Sequence, residues 1–168
     1  PSHHYPTGIV MPISRRYELL GWASKGEGRY IIEDDYDSEL RLGGKPIPTL
    51  QSIDISEKVI YMNTFTKTLA STVRISYMIL PRPLLEQFYQ KLSFYSCTVS
   101  NFEQYTLDLF IKEGYFEKHI NRLRNYYQNK KNGFLSAIWD SGLHKCVEIS
   151  GEEAGVHFLM KLKTEKAE

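Results

Sequence analysis

Val59-Ile60-Tyr61-Met62-Asn63-Thr64-Phe65-Thr66-Lys67-Thr68-Leu69-Ala70 decides how the rest of the chain is read. It begins as a short apolar run of the kind that forms a buried strand, and it ends on a lysine between hydroxyl residues. Arg74 follows seven positions after Lys67, at the head of another apolar run. Desolvating an ammonium is costly, so a lysine at a buried strand end is expected to have a chemical task. A desolvated lysine loses its proton more readily and can form an imine with an aldehyde.

Outward from this stretch the pattern alternates. Residues 1–11 are punctuated by glycine and proline and read as loop. Ser14 is the expected N-cap of a helix over 15–23, which Gly26 and Gly28 would end. Arg29-Tyr30-Ile31-Ile32 is a short apolar strand running into acid, and 42–49 is loop. Strands are expected over 58–65 and 73–80, the second closed by Pro81. Continuous apolar strands of this length suit a sheet covered on both faces. Beyond Pro83 the period becomes helical, with Leu84, Leu85, Phe88, Leu92 and Tyr95 on one stripe. A helix over 102–112 stopped by Gly114 follows, then a long one over 115–139 striped by Ile120, Leu123, Tyr127 and Phe134. Its many Lys and Arg residues read as a solvated face. Strands over 146–149 and 156–160, joined by a Gly-rich turn, complete the pattern. Alternating α/β thus gives way to a smaller α+β unit.

The composition allows one domain of 168 residues with a real core, at 42% hydrophobic and 24% charged residues. A net charge of +1 calls for neither nucleic acid nor an anionic membrane as direct partner, and no apolar run approaches a bilayer span. Cys97 and Cys146 lack metal or redox spacing and read as free thiols of a cytoplasmic protein. Both ends are expected to be cuts through a longer polypeptide: there is no initiating methionine, and the last residues directly follow a strand.

The chemistry gathers at two strand ends. Glu33-Asp34-Asp35-Tyr36-Asp37-Ser38-Glu39 lies at the C-terminal end of the first strand, where open α/β sheets bind ligands. Asp34 and Tyr36, two residues apart on extended chain, point the same way. The acidic cluster alone would also suit a hard cation such as Mg²⁺ or Ca²⁺, or a plain solvated turn. It is accompanied, however, by Lys67, by the hydroxyls of Thr64 and Thr66, and by Arg74, whose forked donors suit a phosphate. A carboxylate for a ring nitrogen, a phenol for a ring oxygen, an imine-forming amine and a phosphate clamp together point to pyridoxal 5'-phosphate. No Ser-His-Asp order, phosphate-binding glycine loop or HExxH motif suggests another chemistry, and no metal is expected. His3, His4, His119 and His144 receive no role, and His157 is expected to be a partly buried structural residue on a strand.

His4-Tyr5-Pro6-Thr7-Gly8, Tyr30-Ile31-Ile32-Glu33-Asp34-Asp35-Tyr36-Asp37-Ser38-Glu39, Thr64-Phe65-Thr66-Lys67-Thr68-Leu69 and Arg74-Ile75-Ser76-Tyr77 resemble the aminotransferase-like domain of MocR-type regulators. These belong to the GntR superfamily of bacterial transcription factors and are related to fold-type-I aminotransferases. The resemblance extends over Gly44-Lys45-Pro46-Ile47-Pro48 and Glu113-Gly114-Tyr115. It implies an α/β fold: a fragment of the fold-type-I large domain, a mostly parallel sheet covered by helices, leading into a small α+β C-terminal domain. Residues 1–114 would be the C-terminal half of the large domain, and 115–168 the linking helix and first strands of the small one. Lys67 would form the Schiff base, Asp34 would partner the pyridine nitrogen, Tyr36 would donate to the 3-oxygen, and Arg74 would hold phosphate with Thr64 or Thr66. The Pro6-Thr7-Gly8 turn resembles the aminotransferase loop beside the 3-oxygen, with Tyr5 where the enzymes carry asparagine. The chain also has Asn63 and Ser71 where the family reads glycine and proline.

The resemblance implies a homodimer and a sensor. An amino compound would exchange with Lys67, and the response would pass to DNA through an upstream winged helix-turn-helix absent from this sequence. A genuine aminotransferase, with Lys67 as proton shuttle, uses the same residues. A cofactor-free dimerisation scaffold is the third reading, and it leaves an unpaired Lys67 to be accommodated.

Overall fold

The computed structural model describes residues 4–43, 47–151 and 155–163. His3, the Gly44-Lys45-Pro46 part of the family-like loop, residues 152–154 of the expected Gly-rich turn and the end at 164–168 lie outside the described residues. In chain order the elements are α1 (Ile13–Ser24), β1 (Ile31–Asp34), α2 (Leu50–Ile53), β2 (Val59–Thr64), β3 (Ser76–Ile79), α3 (Arg82–Leu92), α4 (Asn101–Lys112), α5 (Tyr115–Asp140), β4 (Val147–Ser150) and β5 (Leu159–Leu162). Single 3-10 turns cover Ser38–Leu40 and Leu143–Lys145.

The first three strands form one sheet in the order β1-β2-β3. β1 and β2 run parallel with Asp34 beside Met62, and β2 and β3 run antiparallel with Thr64 opposite Ser76. The C-terminal ends of β1 and β2 and the start of β3 therefore share one edge. β4 and β5 form a separate antiparallel pair. The apolar centre is Leu20 of α1, Leu50 of α2 and Val59 of β2, with Ile31 and Ile53 packed against it. Alternation along β2 explains its part: Val59, Tyr61 and Asn63 face the buried side, while Met62 on the other side is exposed.

Polar side chains fix the crossover from β1 to β2. Thr49 caps α2 by accepting from the Ser52 amide at 3.0 Å. The buried Glu33 carboxylate reaches from β1 and accepts from the Leu50 and Gln51 amides at 2.8 and 3.0 Å. A negative charge on the free N–H groups of a helix start is favourable on both hydrogen-bonding and dipole grounds. Asp54 then turns the chain into β2, accepting from the amides of Ser56, Lys58 and Val59. Arg16, buried on α1, ties that helix to the loops through the carbonyls of Met11 and Pro48.

Several expectations need correction. Ser14 does not cap α1; Pro12 precedes the helix and Ser14 lies in its first turn. Proline's fixed φ suits entry into a helix, so no hydroxyl cap is required there. The first strand runs over Ile31–Asp34 and so carries Asp34 within it. Strands two and three are trimmed to Val59–Thr64 and Ser76–Ile79, and the last strand begins at Leu159, leaving His157 ahead of it. α2 was hidden in the sequence because a four-residue helix shows no period. The sheet is not covered on both faces by the described residues: no residue of β3 is fully buried, Tyr77 being 38% exposed, and α3 buries none of its apolar stripe. Only Ile120 and Ile138 of α5 are buried, although α5 follows its predicted span closely. No helix among the described residues is long and apolar enough to cross a membrane.

Replacing Glu33 with Ala strips α2 of two charge-assisted bonds at a buried point. The expected cost is about 2 kcal/mol of unfolding free energy, read by urea titration with an unchanged slope. A variant as stable as the parent would show that α2 does not depend on this carboxylate.

Candidate functional site

The shared strand edge opens into a cleft of about 420 Å³ lined by Asp34, Tyr36, Met62, Asn63, Thr64, Thr66, Lys67, Arg74 and Ser76. Six residues singled out in the sequence thus meet: Asp34 and Tyr36 from the end of β1, Thr64 from the end of β2, and Thr66, Lys67 and Arg74 from the connection to β3. Parallel pairing of β1 with β2 brings the two groups side by side. Asp34 ends β1 and Tyr36 lies in the turn just beyond it, not on extended chain as the sequence suggested, yet both line the cleft.

The Lys67 loop is internally tied. The amides of Thr68 and Leu69 donate to the Phe65 carbonyl, and the Phe65 amide donates to the Ile75 carbonyl. Thr66 Oγ1 donates to the Val73 carbonyl at 3.0 Å, and Thr64 Oγ1 lies 3.0 Å from Thr66 Oγ1 and 3.2 Å from the Ile75 carbonyl. The two hydroxyls therefore direct their protons into the loop, stitching it to the approach of β3. Lys67 itself departs from expectation: it stands in a turn three residues past β2 and is exposed, not buried at a strand end. Lys67 nevertheless lines the cleft from that turn. Arg74 is likewise exposed along the cleft.

Tyr36 behaves differently. Its hydroxyl is buried and finds no hydrogen-bond partner among the described residues. Burial, with the Asp37 carboxylate adding to it, pushes the phenol above its ordinary range, so it keeps its proton at neutral pH. A buried hydroxyl without an acceptor is costly unless something in the cleft receives its proton. This orphan donor, an accessible amine, a guanidinium and a carboxylate along one cleft fit the donor set of pyridoxal phosphate. Tyr5 is not among the lining residues; it is 68% exposed and stands beside the cleft, with its ring edge-on to His157 at 5.3 Å.

Behind the cleft lies a buried polar web that the sequence did not announce. Asn63 is 3% exposed. Its amide nitrogen donates to Glu39 Oε1 at 3.0 Å and to the Tyr61 hydroxyl at 3.1 Å. Its oxygen accepts from the Thr64 amide. Tyr61 in turn donates to Asp35 Oδ2 at 3.1 Å. Asn63 sits in regular strand opposite Tyr77, and no left-handed backbone is involved. Its neighbours are polar enough to use an amide where the family pattern has glycine. Burial pushes Tyr61 and the partly buried Tyr77 above the ordinary phenol range, so both keep their protons at neutral pH.

The acidic motif separates by face. Glu33 and Asp35 turn inward to α2 and Tyr61, Asp34 turns to the cleft, and Glu39 meets Asn63. Its carboxylates do not converge, and among the described residues no three His, Cys, Asp or Glu side chains form a metal-binding group. The one signal that could have separated them was the period of two along β1. A second cleft of about 370 Å³, beneath Leu69, Ala70, Val73 and Ile75, is apolar apart from Glu103, Thr106 and His119.

No family model matches the chain. It is 47% identical over 160 residues to the HTH-type transcriptional regulator YdeL of Bacillus subtilis, covering 95% of this chain and 34% of that protein. It is 35% identical over 161 residues to the probable rhizopine catabolism regulatory protein MocR of Rhizobium meliloti, covering 96% of this chain and 32% of the other. The chain thus spans about a third of the length of these relatives. Among solved structures, Pyrococcus horikoshii kynurenine aminotransferase, crystallised with PMP, superposes with a TM-score of 0.74 at 31% identity, over 89% of this chain and 37% of the enzyme.

Glu39 supplies a test of the web. Burial raises its carboxyl above the usual range, so the folded state holds this proton more tightly than the unfolded one. Its contribution to stability is therefore full at acid pH and falls as pH rises from the ordinary value through the raised one. Glu39→Gln keeps an acceptor for Asn63 and removes that dependence. Thermal midpoints from pH 4 to 8 should fall less steeply for the variant, which should be the more stable at pH 8; parallel curves would contradict the buried-acid assignment.

In sequence and in fold, the chain corresponds to the aminotransferase-like part of MocR-type regulators of the GntR superfamily, built on the α/β frame of the fold-type-I aminotransferases.

Proposed function

We propose that this chain is the portion of a MocR-type regulator that holds pyridoxal 5'-phosphate covalently at Lys67 and exchanges that bond with an amino compound, so that the domain reports the compound's presence. One observation carries the reading. Asp34, Tyr36, Lys67 and Arg74 line a single cleft in which the only buried hydroxyl without a partner, among the described residues, belongs to Tyr36.

Bound there, pyridoxal phosphate supplies an aldehyde that exchanges between amines and a ring that withdraws electrons. Lys67 would provide the amine that joins the aldehyde; its exposed position leaves it accessible to exchange. Asp34 would hold a proton on the ring nitrogen. Tyr36, kept protonated by its surroundings, would donate to the ring's 3-oxygen. Arg74 would grip phosphate oxygens with its fork, which a lysine could not do in the same geometry. Thr64 and Thr66 would serve mainly by shaping the loop that presents Lys67 and Arg74, since their protons point into it. Tyr5 would border the entrance. Residues 1–114 would then belong to the large domain and 115–168 to the start of the small one. The amino-compound effector, a homodimer, DNA contact through the regulators' helix-turn-helix region and a cytoplasmic setting all belong to the same proposal.

A second reading is favoured by the likeness to the kynurenine aminotransferase: the same cleft, with Lys67 released as general base, could transfer an amino group. Turnover of an amino donor with a 2-oxo acid by the full-length protein would establish it. The cofactor-free scaffold loses its main objection, because an exposed Lys67 is no burden to the fold. The orphan Tyr36 hydroxyl speaks against it instead.

Borohydride treatment of the full-length protein loaded with pyridoxal phosphate should fix the label on the peptide containing Lys67. Lys67→Ala should abolish labelling, and labelling that persists elsewhere would overturn the assignment. Tyr36→Phe separates binding from folding. Without cofactor it should be as stable as the parent or more stable by about 1 kcal/mol, because a buried hydroxyl without a partner is removed. Its dissociation constant for pyridoxal phosphate should rise roughly tenfold, as for one lost charge-assisted hydrogen bond.

A further inference from the structure

His157 enters the site region from the far end of the chain. Its imidazole lies between two groups that flank the cleft. Nε2 is 3.9 Å from Asp37 Oδ2, and the ring meets Tyr5 edge-on at 5.3 Å between centroids. The Asp37 side chain is 4% exposed and the His157 side chain 35% exposed, so the pair sits at the rim of a buried layer. Asp37 adjoins Tyr36 in sequence, and both Asp37 and Tyr5 act electrostatically on the Tyr36 phenol.

A second contact joins the same two segments. Gly8 and Gly151 both have positive φ and meet backbone to backbone. A Cβ on Gly8 would overlap the Gly151 carbonyl oxygen, and one on Gly151 would overlap the Thr7 carbonyl oxygen. The turn at 4–9 is closed by its own bonds, with Gly8 N–H donating to the His4 carbonyl and His4 N–H donating to the Ile9 carbonyl. The β4–β5 unit is therefore docked on this turn at two points, one of bare backbone and one of side chains.

We infer that His157 is a positioning residue that couples the β4–β5 unit to the cleft: by holding Tyr5 and Asp37 together it sets the two turns that flank Tyr36. The inference rests on the proposed cofactor reading only where it concerns the response to ligand; the docking itself stands without it. A histidine suits the task because one flat ring offers an edge to an aromatic neighbour and a polar nitrogen to a carboxylate. Alanine offers neither, and phenylalanine keeps only the ring contact.

Amide hydrogen exchange on the full-length protein tests this in two arms. Without cofactor, His157→Ala should raise exchange of the 4–9 turn and of 36–38 several-fold while β1 and β2 keep their protection. His157→Phe should retain part of the protection at 4–9 and lose it at 36–38. Asp37→Asn should reproduce the change at 36–38, and combining it with His157→Ala should add nothing further there. Unchanged exchange in the alanine variant, a uniform rise over the whole chain, or additive effects of the two substitutions would overturn the coupling. In the second arm pyridoxal phosphate is the probe. It should protect both the cleft and 147–151 in the parent, and the cleft alone in His157→Ala. Equal protection of 147–151 in both proteins would overturn the coupling. Failure of the probe to bind the parent at all would instead overturn the cofactor reading, leaving the first arm to decide the docking.

Discussion

Everything at the site depends on two parallel strands ending at the same level, and the Asn63 side-chain amide is what joins those ends. An amide offers two donors and an acceptor in one plane. Asn63 uses all three: on Glu39, on Tyr61, and on the Thr64 amide next to it. Through Tyr61 the web reaches Asp35, the neighbour of both Asp34 and Tyr36. The carboxylate–phenol wall and the lysine–arginine wall are thereby referred to one buried point. Such webs rigidify only when their members are satisfied, because low surroundings of water raise the cost of every missing bond. Here the residual cost is carried by Glu39, whose second oxygen has no partner among the described residues and whose carboxyl is raised by burial.

The acidic motif shows how one strand serves two purposes. Seven consecutive positions carry five carboxylates, which would repel one another if they shared a pocket. The pleat of β1 and the turn that follows it distribute them instead. Glu33 anchors a helix start, Asp35 receives a phenol, Asp34 is left for the cleft, and Asp37 faces the histidine from the far unit. Structure and chemistry are interleaved residue by residue, so the same short stretch fixes the crossover and furnishes the site.

What could be read in advance followed from period and chemistry. The helices over 101–112 and 115–140 were plain from their spacing, and the first carries a complete capping box from Ser100 to Glu103. Asp34, Tyr36, Thr64, Thr66, Lys67 and Arg74 were readable as a set because their functional groups fit one ligand, and they do line one cleft. Burial was not readable. Apolar strands looked like the interior of a covered sheet, yet no residue of β3 or α3 is fully buried, and Lys67, in a turn beyond β2, is exposed. Burial belongs to whatever packs on a surface, and a strand's own residues do not say what that is. Nor could the sequence bring His157 to Asp37, 120 positions away, because no local pattern encodes that meeting.

The long helix α5 has a mechanical consequence. Its 26 residues make a rod of roughly 39 Å. Arg124 pins the rod near its first third, donating to the Glu39 carbonyl at 2.7 Å on the turn that also serves the web. About 24 Å of helix extends beyond that pivot. A tilt of a few degrees there, too small to break a hydrogen bond, sweeps the distal end by an ångström or more. The helix is thus geared: small angular play beside the strand ends becomes linear travel where the C-terminal hairpin begins.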